Sequence, residues 1–261
     1  MKIIVCVKQV PDTNEVKIDP NTGTLIREGV PSIINPDDLC ALEAALVLKE
    51  QYGHSIVAVS MGPPQAEVAL RHALAMGCDE AFLVSDRVFG GADTWATSKT
   101  LAAAIKKIGY DVILAGRQAI DGDTAQVGPQ IAEHLGIPQV TYAQSIKQDG
   151  NNAFIVQRQF EDRYQKIKIT TPCLITTLST LNKPRYMSVG GIVSAFDEKE
   201  IQLLDFAALK DYVDESDIGL KGSPTQVRKA SPKQGKRQGI LYEVSEDEAV
   251  EIIVKAVSVR A

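Results

Sequence analysis

Through about residue 142 the chain alternates short β-branched runs, Lys2–Val7, Ser55–Ser60, Ala81–Val84 and Asp111–Ala115, with longer stretches of helical period closed by Gly or Pro. Parallel strands cannot be joined by a tight turn, so each must be followed by a crossover of a dozen or more residues, usually a helix. This alternation predicts an α/β fold: a doubly wound, mostly parallel sheet with helices on both faces, in three α/β/α layers. It excludes all-helical and all-β architectures.

Local signals place the elements. Asp19-Pro20-Asn21-Thr22-Gly23 suits a tight turn between short strands Val16–Ile18 and Thr24–Ile26. Asn35-Pro36 starts a helix, with Asn35 as cap and Asp37 and Asp38 facing the dipole, and Gly53 stops it. Pro63-Pro64 opens a second helix that Gly77 ends, and Asp93-Thr94 begins an Ala-rich helix through Ile108. Thr124 is expected to cap a further helix ending near Gly136. Beyond it, Ala153–Gln159, Tyr164–Ile169 and Cys173–Leu178 read as strands without intervening helices, which predicts an antiparallel extension of the sheet. From Asp205 the chain turns polar, with a basic stretch Lys229–Arg237, before Glu246–Val257 resumes a helical period. The expected division is an α/β domain over 1–204 and an extended C-terminal arm and helix over 205–261 that lies across a partner.

A formal net charge of -5 removes the basic footprint a nucleic-acid partner needs. No apolar run nears the roughly 18 residues of a membrane span, and Met1-Lys2-Ile3-Ile4-Val5 enters a strand directly, so a cytoplasmic location is expected. Cys6, Cys40, Cys78 and Cys173 are scattered without a C-x-x-C pair, and His54, His72 and His134 form no cluster, so neither a metal nor a disulfide framework is expected.

In open α/β sheets a ligand sits beyond the carboxyl ends of the strands. Four segments have that address: Cys6–Gln9, Ser60–Pro63, the approach to Asp93-Thr94, and Gly116–Val127. In the last, Gly116 and Gly122 free the backbone to turn closely round a ligand, while Gln118, Asp121, Asp123, Thr124 and Gln126 offer polar contacts. The same residues also suit a plain strand-to-helix loop with a cap. Thr94, Thr97 and Ser98 put three hydroxyls at one helix start, fit for phosphate oxygens or for bonding their own backbone. Neither G-x-G-x-x-G nor the Walker loop is present, and no catalytic Ser, Cys or His constellation appears, so redox work would fall to a cofactor.

The segments Val5–Asp12, Ile34–Pro36, Val59–Pro63, Ala73–Gly77, Gly116–Asp123, Arg158–Thr176 and Asn182–Tyr186 together resemble the beta subunit of electron-transfer flavoproteins. The resemblance implies an adenine-nucleotide-binding fold and a heterodimer with a larger, FAD-carrying alpha subunit. In the respiratory type the beta nucleotide is a structural AMP, held by loops matching Cys6, Asn35 to Asp38, Ser60-Met61 and Gly116 to Val127 here. The electron-bifurcating type of anaerobes binds a complete FAD instead. Asp121-Gly122-Asp123-Thr124-Ala125-Gln126-Val127-Gly128 and the Asp93-Thr94-x-x-Thr97-Ser98 turn look like that type. FAD has more polar atoms than AMP, and the hydroxyls of Thr94, Thr97 and Ser98 would meet them. The resemblance then implies hydride from NADH, one electron sent through the alpha-subunit FAD to a flavin dehydrogenase of acyl-CoA or 2-hydroxy-acid type, and the other to ferredoxin or flavodoxin. No general acid or base in this chain is required. Residues 185–193 match the family's recognition loop, with Val189 as apolar anchor and Tyr186 and Ile192 beside it. The alternatives are an AMP-containing electron shuttle and, from another class, an ATP-binding universal-stress-like protein without redox activity.

Overall fold

The computed structural model describes residues 1–12, 31–227 and 239–258, with the backbone of 17–18 and 25–26. Two compact units divide the chain: Met1–Val16 with Arg27–Arg228, and Lys17–Ile26 with Lys229–Ala261. In order, the elements are β1 (Lys2–Cys6), β2 (Gln9–Pro11), β3 (Lys17–Ile18), β4 (Leu25–Ile26), β5 (Ser32–Ile34), α1 (Pro36–Tyr52), β6 (Ser55–Met61), α2 (Glu67–Met76), β7 (Glu80–Val84), α3 (Thr94–Ile108) and β8 (Val112–Gly116). There follow α4 (Val127–Leu135), β9 (Gln139–Gln148), β10 (Ala153–Gln159), β11 (Tyr164–Thr170), β12 (Cys173–Thr177), α5 (Val189–Asp197), β13 (Ile201–Leu204), α6 (Phe206–Leu209) and α7 (Glu246–Ser258).

Nine strands of the first unit form one sheet in the order β11-β10-β9-β12-β8-β1-β6-β7-β13. Its central members are parallel, β1 pairing β6 on one side and β8 on the other. The chain winds outward from β1 through β6 and β7, then crosses to β8, so the winding reverses between β1 and β8. Side chains alternate faces along each strand. Ile3, Val5 and Ala58 join Leu42 of α1 and Leu70 and Leu74 of α2 in one core layer. Ile4, Val57 and Ile113 join Leu101 and Ile105 of α3, Ile131 of α4 and Leu209 of α6 in the other.

The expected doubly wound α/β sheet is present, with corrections in its second half. Cys173–Thr177 is not antiparallel: it lies between β8 and β9 and runs parallel to both. The crossover from β9 to β12 is made by the antiparallel β10–β11 pair rather than a helix, which is why the sequence shows strands in succession. β9 carries no clear alternation because its two halves serve different neighbours, residues 139–143 facing β12 and 143–148 facing β10. The main unit runs on past residue 204: Leu209, Val213 and Ile218 are buried in the α3 layer. In the second unit, β3 and β4 pair antiparallel as the turn signal predicts; the turn itself and the basic stretch Lys229–Arg237 lie outside the described residues. α7 carries Val250, Ile253, Val254 and Val257 as one exposed apolar stripe at helical spacing.

Candidate functional site: a nucleotide crevice at the strand reversal

The first turn of α1 closes the crevice between β1 and β8. Buried Asp38 accepts the Lys8 N–H at 2.8 Å through Oδ2 and the Gly116 N–H at 2.9 Å through Oδ1, bridging the two strand ends. A Cβ on Gly116 would collide with that carboxylate, so residue 116 must be glycine for α1 to sit this close. Burial pushes the Asp38 carboxyl up to about 7, against the opposing donors Lys8 N–H, the Asn35 side chain and Gly116 N–H. Asp37 extends the tie to β12: its Oδ1 accepts the Ser179 N–H at 2.8 Å and its carbonyl accepts the Thr177 hydroxyl at 3.0 Å. Cys6 ends β1, where burial, and secondarily the Asp38 charge, pushes its thiol up to about 12. A thiol so protonated is a packing group, not a nucleophile.

Asn35 does not cap α1. Its Nδ2 donates to the Gln118 carbonyl at 2.8 Å and its Oδ1 accepts the Ile120 N–H at 3.1 Å, so it latches the loop after β8. That loop, residues 117–126, is further held by the Lys8 Nζ–Asp121 ion pair at 2.7 Å and by the Gln118 Nε2 bond to Asp123 at 2.6 Å. Gly122 has open space round it and no positive φ; the left-handed backbone falls instead on Asp123 (φ 50°) and Ala125 (φ 52°). Such conformations at non-glycine residues cluster at ligand sites. Thr124 is exposed and caps nothing; α4 begins at Val127, after Gln126, without a side-chain cap. Gln126 instead accepts the Thr94 hydroxyl at 2.9 Å, which brings the start of α3 to the loop.

At that start Asp93 caps the Ala96 N–H at 3.0 Å, as the sequence predicts, and its other oxygen accepts the N–H and hydroxyl of Thr225 at 2.9 and 2.7 Å. Burial opposes ionisation of Asp93, but the Thr225 and Ala96 donors outweigh it and hold the carboxyl below the usual range. Thr97 is half-buried, while Ser98 turns inward, donating to the Trp95 carbonyl at 2.8 Å beside Gln130 and His134 of α4. At the end of β6, Met61 packs on the α3 layer, and the fully buried Ser60 hydroxyl has no hydrogen-bond partner among the described residues. An orphaned buried hydroxyl at a strand's carboxyl end is a place for a ligand atom.

Two residues escape sequence reasoning. Arg117 lies over the Tyr142 ring at 5.9 Å, with Nε 3.5 Å from Asp37 Oδ2. Tyr142 itself is left-handed (φ 61°), its N–H donating to the Thr176 hydroxyl at 3.1 Å. Arg117 could have been singled out as a cation directly following a strand; nothing in the sequence announces a left-handed tyrosine. Among the described residues no cluster of His, Cys, Asp or Glu could hold a metal ion, and no helix is long and apolar enough to cross a membrane.

Away from the crevice, Tyr186 and Val189 are 93% and 81% exposed. Of residues 185–193, expected as a loop, 189–193 instead open the helix α5, where the Ser188 hydroxyl accepts the Gly191 N–H at 2.9 Å as its cap. Ile192, Val193 and Phe196 continue the exposed apolar face.

The reversed winding, the helix starts at the strand ends and the latched loop define a doubly wound α/β subunit with a candidate ligand site at the switch point. The model of the electron transfer flavoprotein domain matches residues 22–208. An electron transfer flavoprotein subunit beta of Clostridium acetobutylicum is 59% identical over 254 residues, covering 97% of this chain and 96% of the relative. Subunit CarD of the caffeyl-CoA reductase-Etf complex of Acetobacterium woodii is 60% identical over 235 residues, 89% of this chain and 88% of the relative. The acryloyl-CoA reductase electron transfer subunit gamma of Anaerotignum propionicum is 50% identical over 261 residues, 97% of each. The chain belongs to the electron transfer flavoprotein family, as a beta-type subunit.

Proposed function

We propose that this chain binds FAD in the β1/β8 crevice and serves an NADH-dependent, electron-bifurcating flavoprotein in the cytoplasm. The observation that carries the reading is the 2.9 Å Thr94–Gln126 bond, which joins the start of α3 to the polar 117–126 loop and so offers a longer polar lining for the extra atoms of FAD. FAD bound there would supply the redox chemistry, which is the acceptance of hydride and the release of its two electrons one at a time. The chain binds and orients it. Cys6, Asn35, Asp38 and Gly116 shape the crevice floor, Ser60 and Met61 its β6 wall, and Gln118, Asp121, Gly122, Asp123, Thr124, Ala125, Gln126 and Val127 the covering loop. Asp93, Thr94 and Thr97 present the α3 start.

Tyr186, Val189 and Ile192 form the contact for a flavin dehydrogenase. Two relatives, a subunit of a caffeyl-CoA reductase complex and an electron transfer subunit of an acryloyl-CoA reductase, fit an acyl-CoA type of partner. The second electron goes to ferredoxin or flavodoxin, and the C-terminal segment with its apolar stripe on α7 lies across the alpha subunit. The simpler shuttle with AMP has one observation in its favour: Ser98 spends its hydroxyl inside the α3–α4 contact and Thr94 donates its own to Gln126, so a ligand must compete with Gln126 for the Thr94 hydroxyl.

The test is the nucleotide content of the heterodimer after acid release. Two FAD and no AMP are expected; one FAD with one AMP makes the beta nucleotide structural and removes the bifurcating reading.

A further inference from the structure

A nine-residue helix with Gly190 and Gly191 in its first turn does not hold itself together in water. α5 is nonetheless helical while burying little of itself: Ala195 is its buried residue, and Val189, Val193 and Phe196 point outward. Its attachment to the body is made largely by backbone. Gly191 rests so closely on the Ala75 carbonyl of α2 that a Cβ would collide with it. At the other end, Arg71 of α2 reaches across with Nη1 at 2.5 Å from the Ala195 carbonyl and 2.6 Å from the Lys199 carbonyl. Its Nε and Nη2 bind Glu67 Oε1 at 3.1 and 3.0 Å, and its guanidinium lies 5.8 Å from the centre of the Phe196 ring. The Arg71 side chain is only 19% exposed. A fixed cation thus meets the negative end of the helix dipole and the carbonyls the last turn leaves free.

We infer that Arg71 is the positioning residue of the docking helix, holding α5 in register on α2 so that Val189, Val193 and Phe196 stand as a preformed apolar face for the partner dehydrogenase. The inference rests on the docking reading of Tyr186, Val189 and Ile192. Arg71 lies apart from the candidate ligand residues and meets the apolar face at the Phe196 ring, and it acts by keeping the face ordered before contact, which reduces the ordering cost of association. Arginine meets both carbonyls with Nη1 and Glu67 with Nε and Nη2, a planar fork that the single ammonium of lysine does not reproduce, so lysine replaces it poorly.

The experiment uses the intact heterodimer with the flavin dehydrogenase it captures from its own cell extract, then purified, and compares Arg71→Ala, Arg71→Lys and Val189→Asp. For Arg71→Ala, amide exchange over residues 191–199 should quicken about tenfold or more. The half-saturating dehydrogenase concentration should rise by a similar factor, with the maximal rate and NADH reduction of bound flavin unchanged. Arg71→Lys should fall between wild type and alanine in both, and keeps a buried cation should the alanine variant fold poorly. Unchanged exchange and half-saturation in both Arg71 variants, with Val189→Asp impaired, overturns the inference. An unimpaired Val189→Asp overturns the docking reading beneath it.

Discussion

A carboxylate buried between two strand ends answers to opposed demands, and at Asp38 they are measurable. Burial favours the neutral acid, while two backbone N–H groups and the Asn35 side chain favour the ion; burial prevails and lifts the carboxyl to about 7. An unfolded aspartate titrates near 4, so between about pH 4 and pH 7 the folded chain holds a proton the unfolded chain has released. Stability contributed by this group is therefore full below about pH 4, declines as pH rises by up to about 1.4 kcal/mol per unit, and levels off above 7. Asparagine at 38 removes the titration and turns an amide NH2 toward one of the two N–H donors, at a cost of about 1–3 kcal/mol. Denaturant midpoints of wild type and Asp38→Asn from pH 5 to 8 should converge as pH rises; parallel curves would reject the account. Aspartates in the first turn of a helix can be picked out from sequence, but their partners on β1 and β8 cannot. Asn35 was misplaced for a related reason: asparagine before Pro36 suits a cap and a loop latch equally, and only the position of residues 118–120 decides.

At the scale of elements, the start of α3 was the more legible half of the site. Asp93 followed by threonines announces a capped N-terminus, and the structure places the cap at Ala96. Its meeting with the loop after β8 follows from tertiary packing and leaves no local mark. If the two threonines serve the atoms that distinguish FAD from AMP, Thr94→Val with Thr97→Val should weaken FAD retention by about 10- to 100-fold, the worth of one or two lost bonds to charged oxygens. AMP binding should remain near wild type, and equal losses for both nucleotides in equilibrium dialysis would contradict that assignment. α5 was illegible for the opposite cause. Two glycines lower its propensity by roughly 2 kcal/mol against alanine, and the helix exists because of Ser188, Gly191 and Arg71, of which only the serine is a local signal. β9 was lost because a strand that turns at a left-handed Tyr142 and changes partners has no single period.

At the scale of the molecule, the winding of the sheet was readable because it needs only a tally of strands and crossovers, whereas the end of the main unit was not. Residues 205–227 are polar on average, yet Leu209, Val213 and Ile218 are spaced to fill one layer, and Thr225 is held by Asp93. The main unit ends at Arg228, and residues 229–261 group with Lys17–Ile26 instead. Removal of residues 229–261 should leave the nucleotide-binding unit melting within a few degrees of wild type, since both core layers remain. Co-elution with the alpha subunit should be lost; a truncated chain that still forms the heterodimer at wild-type strength would place that contact elsewhere.

Asp37 and Asp38 lie in one turn of one helix, and between them they tie the ends of β1, β8 and β12. Those three strand ends therefore move as one body, and the crevice cannot widen by parting its walls. A nucleotide held there as proposed would have to enter and leave by displacement of the loop, and its residence time would follow how often Asn35 and Lys8 release residues 118–121 rather than the stability of the sheet beneath.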